Sequence, residues 1–390
     1  MHVLVIPSWY PTTEAPLRGI YFAEQAQCLR EHGMRVGIVY PEQQSLRRAT
    51  VAALRTKHFQ TEWTSDHGLP TLRRYGWNIW WRFPPGLRFR VRSAVRLVRR
   101  YVTQQGRPDL IHAQSGHWAG AAAARIGAEL SLPYVLTEHF AGFQRDKIFP
   151  WRWPLVEEGY RHAQRIAAVS RPLGRTLSNQ GLVSFSDIDV HPNLAPTSYF
   201  TRPSDRRPPP PFRFVTVTRL GPPKNVGDLL RAFAQLTEGD GASTLVVVGD
   251  GPHRKALEKT SQQLGVDDRV SFRGRLDRDG VRAALWNAHA FVLPSRHESF
   301  GVVLLEAMAT GLPVVATRSG GPEDIVPPGA GILVPPKDID ALTSALREIR
   351  TRWSSFDPDE IRSYTLDYYG PEPFVRRTRL LYRRALNETV

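Results

Sequence analysis

Four consecutive prolines, within TRPSDRRPPPPF at residues 201–212, divide this chain more firmly than any other feature. Proline fixes its own φ and lacks an amide donor, so such a run continues neither a helix nor a central strand and serves as a stiff, extended connector. Folding must therefore take place on either side of it. At 390 residues the chain exceeds what one hydrophobic core usually organises, and two domains of roughly 150 to 200 residues are the expectation. Both sides carry the same rhythm. HVLVIPS, RVGIVYP, DLIHAQ, YVLTEH and RIAAVS read as strands before the prolines, and FRFVTVTRL, STLVVVGDG, VSFRG, AFVLPS, PVVATR and GILVPP after them. Helical patterns lie between, which predicts parallel sheets covered by helices on both faces. No period of 20 to 50 residues recurs, so a solenoid is not indicated.

Composition narrows the class. A single cysteine, Cys28, excludes an internal disulfide framework and a cysteine-rich metal site, in keeping with a reducing compartment. The opening MHVLVIPSWYP reads as a first strand rather than an export leader, and no run approaches the ~18 apolar residues of a spanning helix. The expected location is the cytoplasm. Charge is uneven: residues 1–200 hold 25 Lys and Arg against 14 Asp and Glu, net +11, leaving +4 of the total +15 for the remainder. Much of the excess lies in residues 73–102, where nine arginines interleave with Trp77, Trp80, Trp81, Phe83 and Phe89. Three readings fit this segment. A basic helix with an apolar stripe (Leu87, Val91, Val95, Val98) beside interfacial tryptophans suits an anionic membrane surface, making the protein peripheral on the inner face of a membrane. Basic and aromatic residues also track nucleic acid, and the same pattern describes an ordinary solvated helix face over core anchors. No nucleic-acid partner is expected.

Chemistry concentrates in residues 295–326, SRHESFGVVLLEAMATGLPVVATRSGGPEDIV. Ala290 to Pro294 reads as a buried strand, followed by the polar turn Arg296, His297, Glu298 and Ser299, with a helix opening near Ser299. Its first turn presents the backbone N–H groups of Phe300, Gly301 and Val302, and Gly301 lets an anion approach the backbone closely. A phosphate fits there. Glu306 is the one charge in an otherwise apolar helix and needs donor partners, which the vicinal hydroxyls of a ribose supply. Glycines follow the next strand at Gly320 and Gly321, where backbone can again approach a ligand. Earlier in the same half, Arg219 and Lys224 bracket a Gly-Pro-Pro turn before a helix, and a bidentate guanidinium with a mobile ammonium suits a pyrophosphate. The GDGP turn at 249–252 ends the next strand.

Competing chemistries lack their minimum parts. There is no G-x-S-x-G elbow, no HExxH and no G-x4-GK[ST], so serine hydrolase, zinc protease and P-loop readings fall away. The short Asp187 to Asp189 pair precedes a strand without the setting of a metal-assisted site, and no metal is expected.

The 295–326 block, with its two glutamates eight positions apart and the Arg-Leu, turn, Lys-Asn order at 219–225, resembles glycosyltransferase family 4, the retaining group 1 glycosyl transferases. The resemblance implies an α/β chain of GT-B fold, two Rossmann-like domains facing across a cleft: residues 1–200 for the acceptor, a 201–212 linker, 213–370 for the nucleotide sugar, and a helix at 371–390 returning to the first domain. It gives Glu298 the donor-sugar hydroxyls, Glu306 the ribose and Arg219 with Lys224 the diphosphate, beside Ser299, Phe300 and Gly301. Gly274 in SFRGRL resembles the segment that holds the nucleobase, Gly19 the glycine loop beside the sugar and phosphate, and His139 the histidine facing the donor sugar; His112 and His117 are weaker candidates. The double proline 222–223 departs from a turn that is freer in relatives. The implied donor is a UDP- or GDP-linked sugar, with no cofactor besides. The implied acceptor is a glycan or lipid-linked glycan of cell-surface polysaccharide synthesis. A nucleotide-sugar epimerase of the same fold and a noncatalytic membrane or nucleic-acid binding protein are the alternatives.

Overall fold

The computed structural model describes residues 1–44, 46, 50, 58–77, 83–145, 148–203, 208–238 and 243–388. Trp80 and Trp81 of the basic segment and residues 204–207 of the proline-rich connector lie outside the described residues. The chain divides into two compact units, Met1–Leu194 with Phe374–Val390, and Ala195–Pro373.

The first unit is built on a sheet of eight described strands: β1 (His2–Pro7), β2 (Arg35–Gln44), β3 (Thr61–Asp66), β4 (Leu69–Trp77), β5 (Leu110–Gln114), β6 (Tyr134–Glu138), β7 (Arg165–Ala168) and β8 (Ile188–Val190). Their order is β3-β4-β2-β1-β5-β6-β7-β8, parallel throughout except for the antiparallel β3–β4 pair. Helices α1 (Ile20–Glu31), α2 (Pro84–Gln105), α3 (Ala119–Leu130), α4 (Trp153–Arg161) and α5 (Arg171–Asn179) cover it. The central strands are continuous apolar runs because both faces are covered: every residue of β1, β5 and β6 is buried.

The second unit carries β9 (Phe212–Val217), β10 (Ser243–Val248), β11 (Val270–Gly274), β12 (Ala290–Leu293), β13 (Val314–Thr317) and β14 (Gly331–Val334), in the all-parallel order β11-β10-β9-β12-β13-β14. Between and after them come α6 (Val226–Thr237), α7 (Arg254–Gln263), α8 (Arg278–Trp286), α9 (Val302–Ala309), α10 (Pro322–Ile325), α11 (Ile339–Thr351) and α12 (Pro358–Tyr369). Aspartates start three of these helices by accepting first-turn amides: Asp277 from Gly280, Asp338 from Ala341, and Asp357 from Asp359 with Pro358 at the first helical position. The order reverses direction between β9 and β12, and at such a switch point the loops leaving the strands open a crevice for ligand.

The last helix, α13 (Pro371–Ala385), carries Tyr382, Thr378 and Arg384. Tyr382 Oη lies 2.7 Å from His112 Nδ1, Thr378 Oγ1 2.9 Å from His191 Nε2, and Arg384 donates to Asp189 at 2.9 Å. His112 is thereby a structural joint, since its Nε2 also meets Thr137 Oγ1 at 2.8 Å. Asp189 is likewise occupied, by Arg384 and Arg165.

Residues 73–102 do not form the single basic helix of the membrane-surface reading. Arg73 and Arg74 belong to strand β4, which pairs with β3 through a turn at His67 and Gly68, both left-handed (φ 50° and 74°). That mirror-image turn is the usual hairpin solution. Polar and charged letters obscure its strands in the sequence. Arg73 is a buried core residue, donating to Glu42 at 2.7 Å and Asp66 at 2.7 Å. Trp77 is buried as well. The helix α2 begins only at Pro84, and Leu87, Val91 and Val98 of the apolar stripe are buried in its own unit. What faces outward are Phe83, Phe89 and the arginines 88, 92, 96, 99 and 100. Among the described residues no helix is long and apolar enough to cross a membrane.

Candidate active site

In the second unit, two loops at the carboxyl ends of neighbouring strands bring the expected residues together. After β9 the chain runs through Thr218, the exposed Arg219 and Leu220 into a 3-10 turn at Pro222–Lys224. This loop lies flat on the GDG turn after β10. Thr218 donates to Val248 O at 2.9 Å, Leu220 to Asp250 O at 3.0 Å, and His253 back to Leu220 O at 3.2 Å. Glycine is obligatory at both contact points. A Cβ on Gly249, whose φ is +129°, would stand 1.8 Å from Thr218 O, and one on Gly251 would stand 2.2 Å from Leu220 O. The glycines fix the stem from which Arg219 projects. Gly249 N–H also donates to Gly274 O at 2.8 Å, tying the SFRG segment to the same turn.

The second loop follows β12. Its backbone is held on two sides: Arg296 N–H donates to Pro223 O at 2.8 Å, and Glu298 pairs with the glycine segment through Glu298 N to Ser319 O (2.9 Å) and Gly321 N to Glu298 O (2.8 Å). Arg296 also approaches Asp228 at 3.7 Å, while Asn225, left-handed at φ 52°, donates its amide to the same carboxylate at 2.6 Å. So fixed, Glu298 accepts an ion-paired hydrogen bond from Lys224 Nζ. Read from the letters alone, these two side chains have separate partners; the structure joins them. The lysine is about a quarter exposed and the carboxylate less, 28% and 12% for the side chains, so the pair is partly desolvated yet reachable.

Two local expectations change. The helix α9 opens at Val302, three residues later than anticipated, with left-handed Gly301 (φ 106°) at its cap. Leu304 N–H already turns back to Gly301 O at 2.8 Å, so Val302 and Val303 are the first-turn amides without an intrahelical acceptor. Ser299 and Phe300 sit in the preceding turn, and the Phe300 ring is buried. Packing alone requires a glycine at 321, since a Cβ there would lie 2.1 Å from Phe300 O. Glu306 lies one turn further along α9, half-buried.

In the first unit the candidates gather around a carboxylate that sequence reasoning does not single out. Glu138, fully buried at the end of β6, accepts from Ser115 Oγ (2.7 Å), Gly116 N (2.8 Å), His139 N (2.8 Å), Phe140 N (2.8 Å) and Tyr160 Oη (2.7 Å). Five donors saturate an ionised carboxylate and lock the loops after β5 and β6 in place. The only local signal is an acid at the end of an apolar strand. His139, next in sequence, is 6% exposed and its Nε2 meets Gln114 Oε1 at 2.6 Å. Its Nδ1 is buried without a hydrogen-bond partner. Burial, then the neighbouring His191, hold its pKa down to about 3 against an opposing contribution from Asn193, so the ring is neutral at physiological pH. Gly19 caps α1 in the left-handed region (φ 73°), where a Cβ would press on Trp9 O at 2.7 Å.

Residues 200–355 match the model for glycosyl transferases group 1, and residues 19–199 match that for glycosyltransferase family 4. The sulfoquinovosyl transferase SQD2 of Arabidopsis thaliana is 28% identical over 68% of this chain and 55% of its own length. The putative teichuronic acid biosynthesis glycosyltransferase TuaC of Bacillus subtilis is 28% identical over 89% of this chain and 88% of its own. Among solved structures, HepE of Anabaena in complex with UDP superposes with a TM-score of 0.73 at 18% identity, covering 98% of this chain and 99% of that one. At that identity the likeness speaks for the fold, and the fold is GT-B. Matched in both halves, the chain belongs to the family 4, group 1 glycosyltransferases.

Proposed function

We propose that this protein is a retaining, metal-independent glycosyltransferase that moves a sugar from a UDP- or GDP-linked donor to a hydroxyl of a glycan or lipid-linked glycan in cell-surface polysaccharide synthesis. One observation carries the reading: Lys224 and Glu298 meet as an ion pair beside the start of α9, on loops leaving the adjacent strands β9 and β12. The names of SQD2 and TuaC and the UDP bound to HepE point the same way.

The chemistry asks for charge where it grows. As the bond between the anomeric carbon and the diphosphate oxygen breaks, its electron pair passes to the phosphate. Arg219 and Lys224 supply the neutralising cations, and the free amides of Val302 and Val303 add partial positive charge. Glu298, released from part of its bond to Lys224, accepts the donor-sugar hydroxyls, and Glu306 the ribose hydroxyls. The acceptor hydroxyl attacks the face the phosphate is leaving, and its proton goes to the departing phosphate oxygen. His139, being neutral, acts as a hydrogen-bonding group facing the sugar rather than as a cation. The first unit takes the acceptor, for which a polar cavity of about 350 Å³ lined by Thr12, Thr13, Thr64, Asp66 and Tyr75 offers hydroxyl and carboxylate partners. Any membrane contact rests on Phe83, Phe89 and the outward arginines of α2.

Incubation with a panel of UDP-, GDP-, ADP- and dTDP-sugars, with and without glycan acceptors, tests the proposal. Acceptor-dependent release of nucleoside diphosphate with retention at the anomeric carbon by NMR is the expected result. Inversion there sinks the retaining assignment, and sugar isomerisation without an acceptor identifies an epimerase instead.

A further inference from the structure

The first unit holds a group of arginines that the donor chemistry leaves unused. Arg152, in the 3-10 turn before α4, is buried (9% exposed) and donates from Nη1 to His117 Nε2 at 2.6 Å. Its guanidinium lies 4.8 Å from the Trp151 ring and 5.2 Å from that of Phe149, and its Nε is buried without a hydrogen-bond partner. Arg90, on the inner side of α2, stands 4.3 Å over the Trp118 ring, and its Nε is likewise buried and unpartnered. Arg18, exposed in the loop after β1, acts on the same His117 ring. All three are close enough to His117 to act with burial in holding that ring neutral, its pKa down to about 3.

Among the described residues no carboxylate pairs with Arg18, Arg90 or Arg152. The acid that acts on Arg90 is Glu42, and it is already bonded to Arg73 at 2.7 Å. The contrast with Arg73 is direct. The buried Arg73 has two carboxylates within 2.7 Å, whereas Arg152 has aromatic faces and a neutral imidazole, and Arg90 an aromatic face and the Tyr40 hydroxyl. Burying a cation without a counter-charge is costly, and a fold that keeps the buried Arg152 beside the half-buried Arg90 and the exposed Arg18 is built for an anion supplied from outside. Guanidinium forks, with unused N–H groups and flat aromatic walls, match the oxygens of a phosphate.

We infer that Arg18, Arg90, Arg152 and His117 form an anion site in the first unit that binds a phosphate group carried by the acceptor. This rests on the proposed transferase reading for the word acceptor, because that reading places the donor's own phosphates on Arg219 and Lys224 in the second unit. The phosphate site itself needs the first unit alone. Its source is either a soluble phosphorylated polyol or a lipid headgroup.

Calorimetric titration of the full chain with glycerol 3-phosphate, in a Lys224→Ala background that weakens the nucleotide site, tests the inference. Binding should persist in that background and weaken about tenfold or more when Arg90→Gln and Arg152→Gln are added, with Arg152→Lys giving an intermediate affinity. Should the double variant lose its fold in thermal melts, Arg18→Gln at an exposed position carries the same comparison with a smaller loss. Unchanged affinity in the arginine variants, or loss of binding on Lys224→Ala alone, overturns the inference. Co-sedimentation that requires Arg90 and Arg152 with phosphatidylglycerol vesicles, and is absent with phosphatidylcholine, assigns the phosphate to a lipid headgroup. Glycerol 3-phosphate binding without co-sedimentation assigns it to a soluble acceptor. Nucleotide titration of the unmodified chain is read separately, so failure of the transferase reading and failure of the phosphate site are distinguishable.

Discussion

The loops that leave β9 and β12 in the second unit and those that leave β5 and β6 in the first are held rigid by different means. In the second unit the backbone does the holding: glycines at 249, 251 and 321 let one loop lie against another within distances no side chain permits. In the first unit a single buried carboxylate, Glu138, gathers five donors from three segments. A backbone-built site is intolerant at each glycine and leaves its functional side chains partly exposed. A side-chain-built site concentrates its stability in one residue and buries its candidate, His139.

The largest effects should come from breaking either device. Gly249→Ala places a methyl against Thr218 O in a backbone region that alanine avoids, and should cost roughly 3–5 kcal/mol in denaturant unfolding of the second unit. Glu138→Ala strands five donors, three of them backbone amides, and should cost the first unit about 3–4 kcal/mol. If either variant unfolds like the parent, the corresponding device is not what holds its loops. Next in size is chemistry without stability: Lys224→Ala should lower turnover about 10²-fold or more, with an unfolding midpoint close to the parent's. Near-normal turnover sinks that assignment.

A smaller and graded effect follows pH. Within the folded first unit His139 and His117 take up a proton only near pH 3 and His191 near 4, against an ordinary 6.5, chiefly because burial disfavours the charged rings. The unfolded chain therefore binds more protons across that window. The stability these rings contribute is complete above about pH 6.5 and is lost as the pH falls toward 3. Melting at pH 7.5 and pH 5 should show a lower midpoint at pH 5, and His191→Gln should reduce the difference; equal midpoints would mean the rings are not held neutral. The smallest effect is a control. Gly221 has an extended backbone, and a Cβ added there would meet nothing within 4 Å, so Gly221→Ala should stay within about 0.5 kcal/mol of the parent.

The same contrast explains what can be read in the letters. Each strand named after the prolines is present, and the fold class follows from that alternation, because fully covered parallel strands are apolar runs bounded by turns. Lys224, Glu298 and the glycines are visible because a backbone-built site writes its constraints locally, as glycine and proline at fixed places. The β3–β4 hairpin is hidden because Arg73 and Arg74 look like surface charge, and the burial of Arg73 depends on Glu42 and Asp66, which no local pattern ties to it. Glu138 escapes notice for the same reason: Ser115, Tyr160 and the loop amides that make it a hub come from segments that share no pattern. Even the pairing of Lys224 with Glu298, 74 positions apart, needs the β9–β12 neighbourhood to be seen.

That pair is where the account is most exposed. Titration of UDP and GDP into the parent, Lys224→Ala and Glu298→Gln proteins tests it most directly, because the two substitutions should act in opposite directions. Lys224→Ala removes the cation and should weaken binding of the preferred nucleoside diphosphate about tenfold or more, whereas Glu298→Gln frees the lysine from its carboxylate and should leave that binding unchanged or tighter. Weakening by both substitutions alike, or by neither, would contradict a diphosphate site built on Lys224.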